Sequence, residues 1–181
     1  MENNKKNTPN LSSVSILMNC YNGEAYLHEA IESVINQTYQ NWELIFWDNQ
    51  STDNSKIIFD SFEDKRLRYF FSDEHTDLGG GRAKAFHHLS GDFIAVIDTD
   101  DLWLPTKLEK QLKLFKDPEV GLVISDTMFF NESNERAVYG ESYPPEGYVF
   151  RELFTGYFVS LVSLIVRKST VEKLNYGFDA D

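Results

Sequence analysis

The chain has 181 residues, 41% hydrophobic and 14% aromatic, and 17 basic against 29 acidic side chains give a formal charge of −12. Such a length suits one domain, or one domain with part of another, and the apolar content is ample for a core. A strongly acidic chain is a poor polyanion binder, so DNA or RNA is excluded as the main partner, while a nucleoside diphosphate fits if a metal ion bridges acid to phosphate.

Residues 1–12 are expected to form a disordered leader. Lys5-Lys6 is followed by no apolar run, so the segment does not read as a signal peptide. Val14–Met18 predicts a short strand and Asn19–Gly23 the loop after it. Glu24–Gln37 predicts a helix with Leu27, Ala30, Ile31, Val34 and Ile35 on one face, and Glu24 as a favourable contact with the helix dipole. Trp42–Trp47 predicts a second strand, ending in Asp48. Asn49–Asp53 is polar and opens a helix with Ile57, Ile58 and Phe62 inward. Leu67–Phe71 predicts a third strand. Asp77–Gly81 reads as a flexible loop leading into a helix from Arg82 to Leu89, which Gly91 closes.

The strand Phe93–Ile97 follows and ends in Asp98-Thr99-Asp100-Asp101. Pro105 suits the first turn of the next helix, whose buried face is Leu108, Leu112 and Phe115. Val120–Ser125 predicts another strand. Met128–Tyr139 predicts a hairpin around Asn131–Asn134, and Ser142–Gly147 a loop. A short helix is expected over Tyr148–Phe154 and a strand over Val159–Val166. Ser169-Thr170-Val171-Glu172 has the capping-box pattern of a last helix. Tyr157–Val166 is the longest apolar stretch; two serines interrupt it and it is too short to span a bilayer, which leaves peripheral membrane contact open.

Strand and helix alternate through the first half, which predicts a parallel sheet covered on both faces. All strand C-termini then share one rim, where open α/β sheets bind ligands. Tyr21-Asn22, Asp48-Asn49 and Asp98–Asp101 would gather there. Carboxylates one residue apart can share a hard divalent cation, and such a cation can grip a phosphate. A solvated turn is the plainer explanation of the acids taken alone.

The other motifs narrow the chemistry. There is no G-x-x-x-x-G-K-[ST], and Gly79-Gly80-Gly81 lacks the G-x-G-x-x-G spacing, so a nucleoside triphosphatase or nicotinamide enzyme is disfavoured. The glycines suit either close approach of backbone to a ligand or a plain turn. Arg82 reads as a phosphate or carboxylate clamp or as a solvated surface charge. The four histidines lack metal-ligand spacing, and His28, His87 and His88 are expected on helix surfaces. Cys20, the one cysteine, excludes an internal disulfide framework and is expected to be a buried thiol and not a nucleophile. Trp103 and Pro105 are expected to pack the loop after the acids.

Val14–Asn22, Ala30–Tyr39, Trp42–Ser55 and Gly91–Leu108 together resemble the family 2 inverting glycosyltransferases, over almost the whole chain after the leader. The resemblance implies the GT-A fold, an α/β Rossmann-like, mostly parallel mixed sheet with helices on both faces, spanning residues 13–181. It implies metal-dependent, inverting transfer of a hexosyl or related sugar from a nucleoside diphosphate to an acceptor hydroxyl, in surface polysaccharide or glycan synthesis. Cys20, Tyr21 and Asn22 match the first-strand motif near the nucleotide. Asp48, followed by Asn49, matches the acid that contacts the base, and Arg82 the arginine before the D-x-D strand. Asp98 and Asp100 match the D-x-D pair, Asp98 toward ribose or metal and Asp100 toward metal. The implied ion is Mg²⁺ or Mn²⁺, the implied nucleotide UDP, with dTDP or GDP as alternatives, and the acceptor a glycan or a lipid-linked sugar. The implied setting is cytoplasmic, with a peripheral position at the inner face of the membrane as a variant.

Leu161–Lys168 and Asn175–Asp179 resemble the acceptor-side strand and the turn after it. The family's general base follows that turn, so no catalytic base is expected in this chain, which reads as a truncated product or a fragment of a longer enzyme. Asp179 and Asp181 are only nearby acids. Asn19, Asn49-Gln50, Gly80-Gly81 and Ala83 depart from the usual proline, Asp-Gly, Glu-Ala and asparagine. Two other readings remain: a donor-binding module without turnover, and a nucleotidyltransferase, whose basic glycine-rich first loop is missing from Asn19–Gly23.

Overall fold

Seven consecutive buried residues make β1 (Val14–Cys20) the axis of the fold. In the computed structural model, which describes residues 12–131, 133–156 and 158–173, it is followed by α1 (Leu27–Ile35), β2 (Trp42–Asp48), α2 (Ser55–Asp60), β3 (Leu67–Phe71), α3 (Leu78–Phe86) and β4 (Phe93–Val96). Then come α4 (Lys107–Leu112), β5 (Leu122–Val123), β6 (Met128–Phe130), β7 (Glu135–Ala137), α5 (Phe150–Thr155), β8 (Ile165–Arg167) and α6 (Lys168–Lys173). Six strands form one sheet in the order β3-β2-β1-β4-β8-β5. β1 pairs in parallel with β2 and β4, and β2 with β3; β8 runs antiparallel to β4 and β5. The sheet is therefore mixed and mostly parallel, as expected.

Strand parity assigns the two layers, because successive side chains point to opposite faces. Val14, Ile16, Met18 and Cys20, with Trp42, Leu44 and Phe46 and with Phe93, Ala95 and Ile97, pack on one face against Leu27, Ala30, Ile31 and Val34 of α1, Phe59 of α2 and Leu108 of α4. Leu17, Ile45, Trp47, Ile94 and Val96 face Ala85 of α3 and Leu89 on the other. Each fully buried aliphatic side chain contributes about 1.5–3 kcal/mol, which makes these faces the main stabilising term.

Several boundaries differ from the sequence reading. Gly79–Gly81 is not a flexible loop: it is the first turn of α3, because Asp77 caps the helix by accepting from Gly80 N at 2.7 Å. α1 starts at Leu27, so Glu24 lies outside it. The Glu24 carboxylate instead accepts from Asn54 N and Nδ2 at the start of α2, at 2.9 and 2.7 Å. Ile57 is 69% exposed and Phe59 takes the inward position. The expected strand 159–166 is broken by a 3-10 turn at Leu161–Ser163, since the Ser163 carbonyl accepts from Gln111 Nε2 at 2.8 Å and leaves the ladder. Only Ile165–Arg167 pairs. Only Leu122–Val123 pairs in the expected strand 120–125, and α6 begins at Lys168, so Ser169 lies within the helix and is not its cap. The β6–β7 hairpin forms as expected. The leader, apart from Ser12, and Asn175–Asp179 lie outside the described residues.

The segment after Asp101 is fastened to α1 and the turn beyond it by buried polar groups. Gln37, 1% exposed, donates to Leu104 O at 2.9 Å and accepts from Leu108 N at 3.1 Å. Trp103 N donates to Ser33 Oγ at 3.1 Å, and Thr38 N to Pro105 O at 2.8 Å. Trp103, 5% exposed, thus packs the loop as expected, whereas Pro105 is exposed and contributes its carbonyl. Gln37→Leu leaves the Leu104 carbonyl and the Leu108 amide without these partners, at about 1–3 kcal/mol for each buried group left unpaired. Urea unfolding should show a lower midpoint with an unchanged slope.

Candidate functional site

Parallel pairing brings the C-terminal ends of β1, β2 and β4 to one rim. Hydrogen bonds then tie the tips together. Asn49 N donates to Cys20 O at 2.8 Å, and Asn22 N to Ser51 Oγ at 3.0 Å. Asn22 Oδ1 accepts from Thr52 N at 2.8 Å. Asn49, 2% exposed, donates through Nδ2 to Thr76 O at 2.7 Å and accepts from Thr76 N and Oγ1. The Asp48 carboxylate, 1% exposed, accepts from Ser51 N at 2.7 Å and from Tyr69 Oη at 2.6 Å. Burial and that bond to Asp48 push the Tyr69 phenol well up. Cys20 is fully buried, 3.6 Å from Ser51 Oγ, and burial raises its thiol pKa, so it is a packed thiol as expected.

Other groups are turned outward. Tyr21 is 53% exposed, and its ring centroid lies 4.3 Å from that of His75. His75 Nδ1 contacts Asn49 O at 2.9 Å, so the imidazole is held beside the tyrosine. His28 and His87 are exposed on the surface as expected. His88 is half-buried and stacked 3.9 Å from Phe70, and burial lowers its pKa.

The acids meet α3 by parity. Asp98 continues the face of Ile94 and Val96, so it points toward α3, where Arg82 Nη2 donates to Asp98 Oδ1 at 2.5 Å. The guanidinium side chain is 11% exposed and the carboxylate 39%, and Arg82 Nε is buried without a partner. Asp100 is exposed, and Asp101 turns back through Asp101 N to Asp98 O at 3.2 Å. Burial first, then Asp98 and Asp100, push Asp101 up to about 6. Asp101, Trp103, Lys107, Asp126 and Phe130 help line a cavity of about 740 Å³ that extends from the acids to the β6–β7 hairpin. Among the described residues, no group of three or more His, Cys, Asp or Glu side chains could hold a metal ion unaided. No described helix is long and apolar enough to cross a membrane.

The structure therefore gathers Tyr21, Asn22, Asp48, Asn49, Arg82, Asp98 and Asp100 around the tips of three strands and the start of α3. Sequence reasoning missed Asp77, Tyr69 and His75. Asp77 carried a signal, an acid three residues before a helical amide. Tyr69 and His75 carried none without the register that sets Tyr69 opposite Phe46.

Residues 15–173 match the model of the glycosyl transferase family 2 domain. The chain belongs to that family. An Escherichia coli relative, the UDP-Glc:alpha-D-GlcNAc-diphosphoundecaprenol beta-1,3-glucosyltransferase WfgD, is 27% identical over 165 residues, covering 91% of this chain and 64% of its own. Staphylococcus aureus TarS 1-349, solved with UDP-GlcNAc, is similar with a TM-score of 0.77 and 20% identity, over 92% of this chain and 48% of that one. The mannosyltransferase PcManGT of Pyrobaculum calidifontis, solved with GDP-Man and Mn²⁺, has a TM-score of 0.70 and 18% identity, over 94% and 48%. These likenesses agree with the GT-A fold. The chain spans 64% of that relative and about half of each solved chain.

Asp101 offers a test of the site's electrostatics. Its carboxyl is raised from 3.8 to about 6, so the folded state holds the proton more tightly than the unfolded one. Its favourable contribution is complete below pH 3.8 and is lost as pH rises through 6. Asp101→Asn should therefore stabilise the fold at pH 7.5 and leave it nearly unchanged at pH 4. Allowing for solvent screening at this partly exposed site, the gain is about 1 kcal/mol, or roughly 2–4 °C in paired thermal melts.

Proposed function

We propose that this chain binds the donor for a metal-dependent, inverting glycosyltransferase that moves a sugar from a nucleoside diphosphate to an acceptor hydroxyl in surface polysaccharide or glycan assembly. The observation that carries the reading is the Arg82–Asp98 pair beside the exposed Asp100 at the C-terminal rim. An acidic chain that binds a diphosphate needs positive charge at the binding point, and the rim offers Arg82 together with a carboxylate pair.

The residues present fit a Mg²⁺ or Mn²⁺ ion. Asp98 and Asp100 are hard oxygen ligands, and two carboxylates with substrate phosphate and water are the usual set for such ions. When bound, the ion supplies positive charge against the diphosphate leaving group. Arg82 holds Asp98 in place and brings positive charge to the rim. Tyr21, beside His75, offers a ring face to the base. Asn22 and Asn49 keep the tips fixed, and Asp48 and Cys20 act within that frame.

UDP is the nucleotide we place first, supported by the UDP-Glc donor of WfgD and the UDP-GlcNAc bound to TarS; GDP, supported by PcManGT, and dTDP are the alternatives. The name of WfgD supports a lipid-linked or glycan acceptor, and with it a cytoplasmic protein in peripheral contact with the inner face of the membrane. The cavity beyond Asp101 is the space offered to the transferred sugar and the acceptor. No described residue is assigned as the general base; Asp179 and Asp181 lie outside the described residues. A nucleotidyltransferase is disfavoured because Asn19–Gly23 contains no Lys or Arg.

Calorimetric titration with UDP tests the reading. Binding should require Mn²⁺ or Mg²⁺ and should weaken by at least about 100-fold in Asp100→Ala, as expected when a ligand of a bridging ion is removed. Binding of equal strength in the presence of a chelator would overturn the metal-bridged site.

A further inference from the structure

Asn19 occupies the space that a side chain at position 81 would need. A Cβ placed on Gly81 would lie 2.6 Å from Asn19 Oδ1, 3.3 Å from Cγ and 3.4 Å from Nδ2. Gly81 is helical and buried, so it is not required by an unusual φ. Its requirement is close approach, since a helix without a Cβ at this point can lie directly on the strand tip. Asn19 shares the α3 face of β1 with Leu17, and Asp98 continues the same face on the neighbouring strand. The residue after Gly81 is Arg82, whose Nη2 reaches Asp98 Oδ1 at 2.5 Å.

Two polar atoms at this junction, Asn19 Oδ1 and Arg82 Nε, are buried without partners. Each such atom forfeits a hydrogen bond on folding, so hydrogen bonding does not account for the close approach of helix and strand at this point. Three successive glycines also make the first turn of α3 intrinsically weak. The turn is capped by Asp77, and Gly81 lies close against Asn19.

We propose that Asn19 and Gly81 are a matched pair of positioning residues: the amide of Asn19 is the seat, and the bare Cα of Gly81 lets α3 settle on it closely enough for Arg82 to clasp Asp98. The consequence for ligand binding rests on the donor-site reading above; the clasp itself does not. Displacing α3 by about 1 Å would take the guanidinium beyond hydrogen-bond distance of the carboxylate.

The test compares wild type, Gly81→Ala, Asn19→Ala and Asn19→Ala/Gly81→Ala by two readouts. The first needs no ligand: hydrogen exchange at the Arg82 Nε–H resonance, assigned by its loss in Arg82→Lys. It should be slow in wild type, at least about tenfold faster in Gly81→Ala, and slow again in the double variant, because neighbouring substitutions that share one space are non-additive. The second is the Kd for UDP with saturating Mn²⁺, which should weaken by about tenfold in Gly81→Ala and return to within about threefold in the double variant. Thermal melts run alongside. A lower Tm in Gly81→Ala with unchanged Arg82 exchange would mean a packing role only and overturns the proposal. A double variant as fast-exchanging as Gly81→Ala would overturn it too. If Gly81→Ala does not fold, Asn19→Gln, which lengthens the side chain under the helix, must speed Arg82 exchange to a similar degree. Failure of wild type to bind UDP would count against the donor reading, while the exchange comparison still decides the positioning role.

Discussion

The constraint on which this structure depends is the burial of β1 between two parallel neighbours and two helical layers. With every residue of the strand buried, polar groups that must meet water or ligand are displaced to its ends. Parallel pairing sends the corresponding ends of β2 and β4 to the same rim. Parity then sorts what arrives there. Asp48 follows Phe46 and Leu44 onto the face of α1 and α2, where Tyr69 meets it. Asp98 follows Val96 and Ile94 onto the face of α3, where Arg82 meets it. A register slip of one residue in β4 would exchange Asp98 for Ile97 and leave Arg82 facing an aliphatic side chain.

Most of the polar groups at the rim are engaged with each other. Asn22, Asp48 and Asn49 bond to Thr52, Ser51, Tyr69 and Thr76, and so hold the tips of β1, β2 and the loop after β3 as one unit. A site organised in this way loses little conformational freedom when a ligand arrives, which is how preorganisation raises affinity without adding contacts. Tyr21, Asp100 and one edge of Arg82 stand apart from that frame. The division separates the residues bonded into the frame from those whose side chains are left outside it.

Much of this was legible in the sequence, for identifiable reasons. Apolar runs ending in polar residues gave the strands of the first half and hence the shared rim, because burial on both faces leaves an uninterrupted apolar signature. The short elements after Ser125 were less legible. Whether Val159–Val166 ran straight depended on Gln111, distant in sequence, capturing the Ser163 carbonyl. Gly79–Gly81 read as a loop because glycine propensity argues against helix, and the local cap by Asp77 together with the close packing on Asn19 outweighed it. Glu24 read as a helix-start acid because its real partner, Asn54, begins a different helix. At the site, the identities of Arg82 and the acids were visible and their pairing was not, since it needs the parity of one strand and the approach of one helix.

Backbone conformation points to the same rim. Two non-glycine residues among those described adopt left-handed backbone, Asn22 with φ 53° and Gln50 with φ 69°. They stand just after β1 and β2, on adjacent tips. Asparagine tolerates this region, and its side chain here bonds to Thr52. Glutamine gains no comparable local bond, and strain of this kind costs on the order of 1–3 kcal/mol when the surroundings impose it. Gln50 is held by Nε2 donating to Asp73 O at 3.0 Å and to Ser72 O at 3.4 Å, so the tip of β3 fixes the tip of β2. A chain selected for stability alone would place glycine at position 50 and relieve the strain. Retaining glutamine trades that relief for a bond between neighbouring tips, and the trade is made where the side chains of Tyr21 and Asp48 are set.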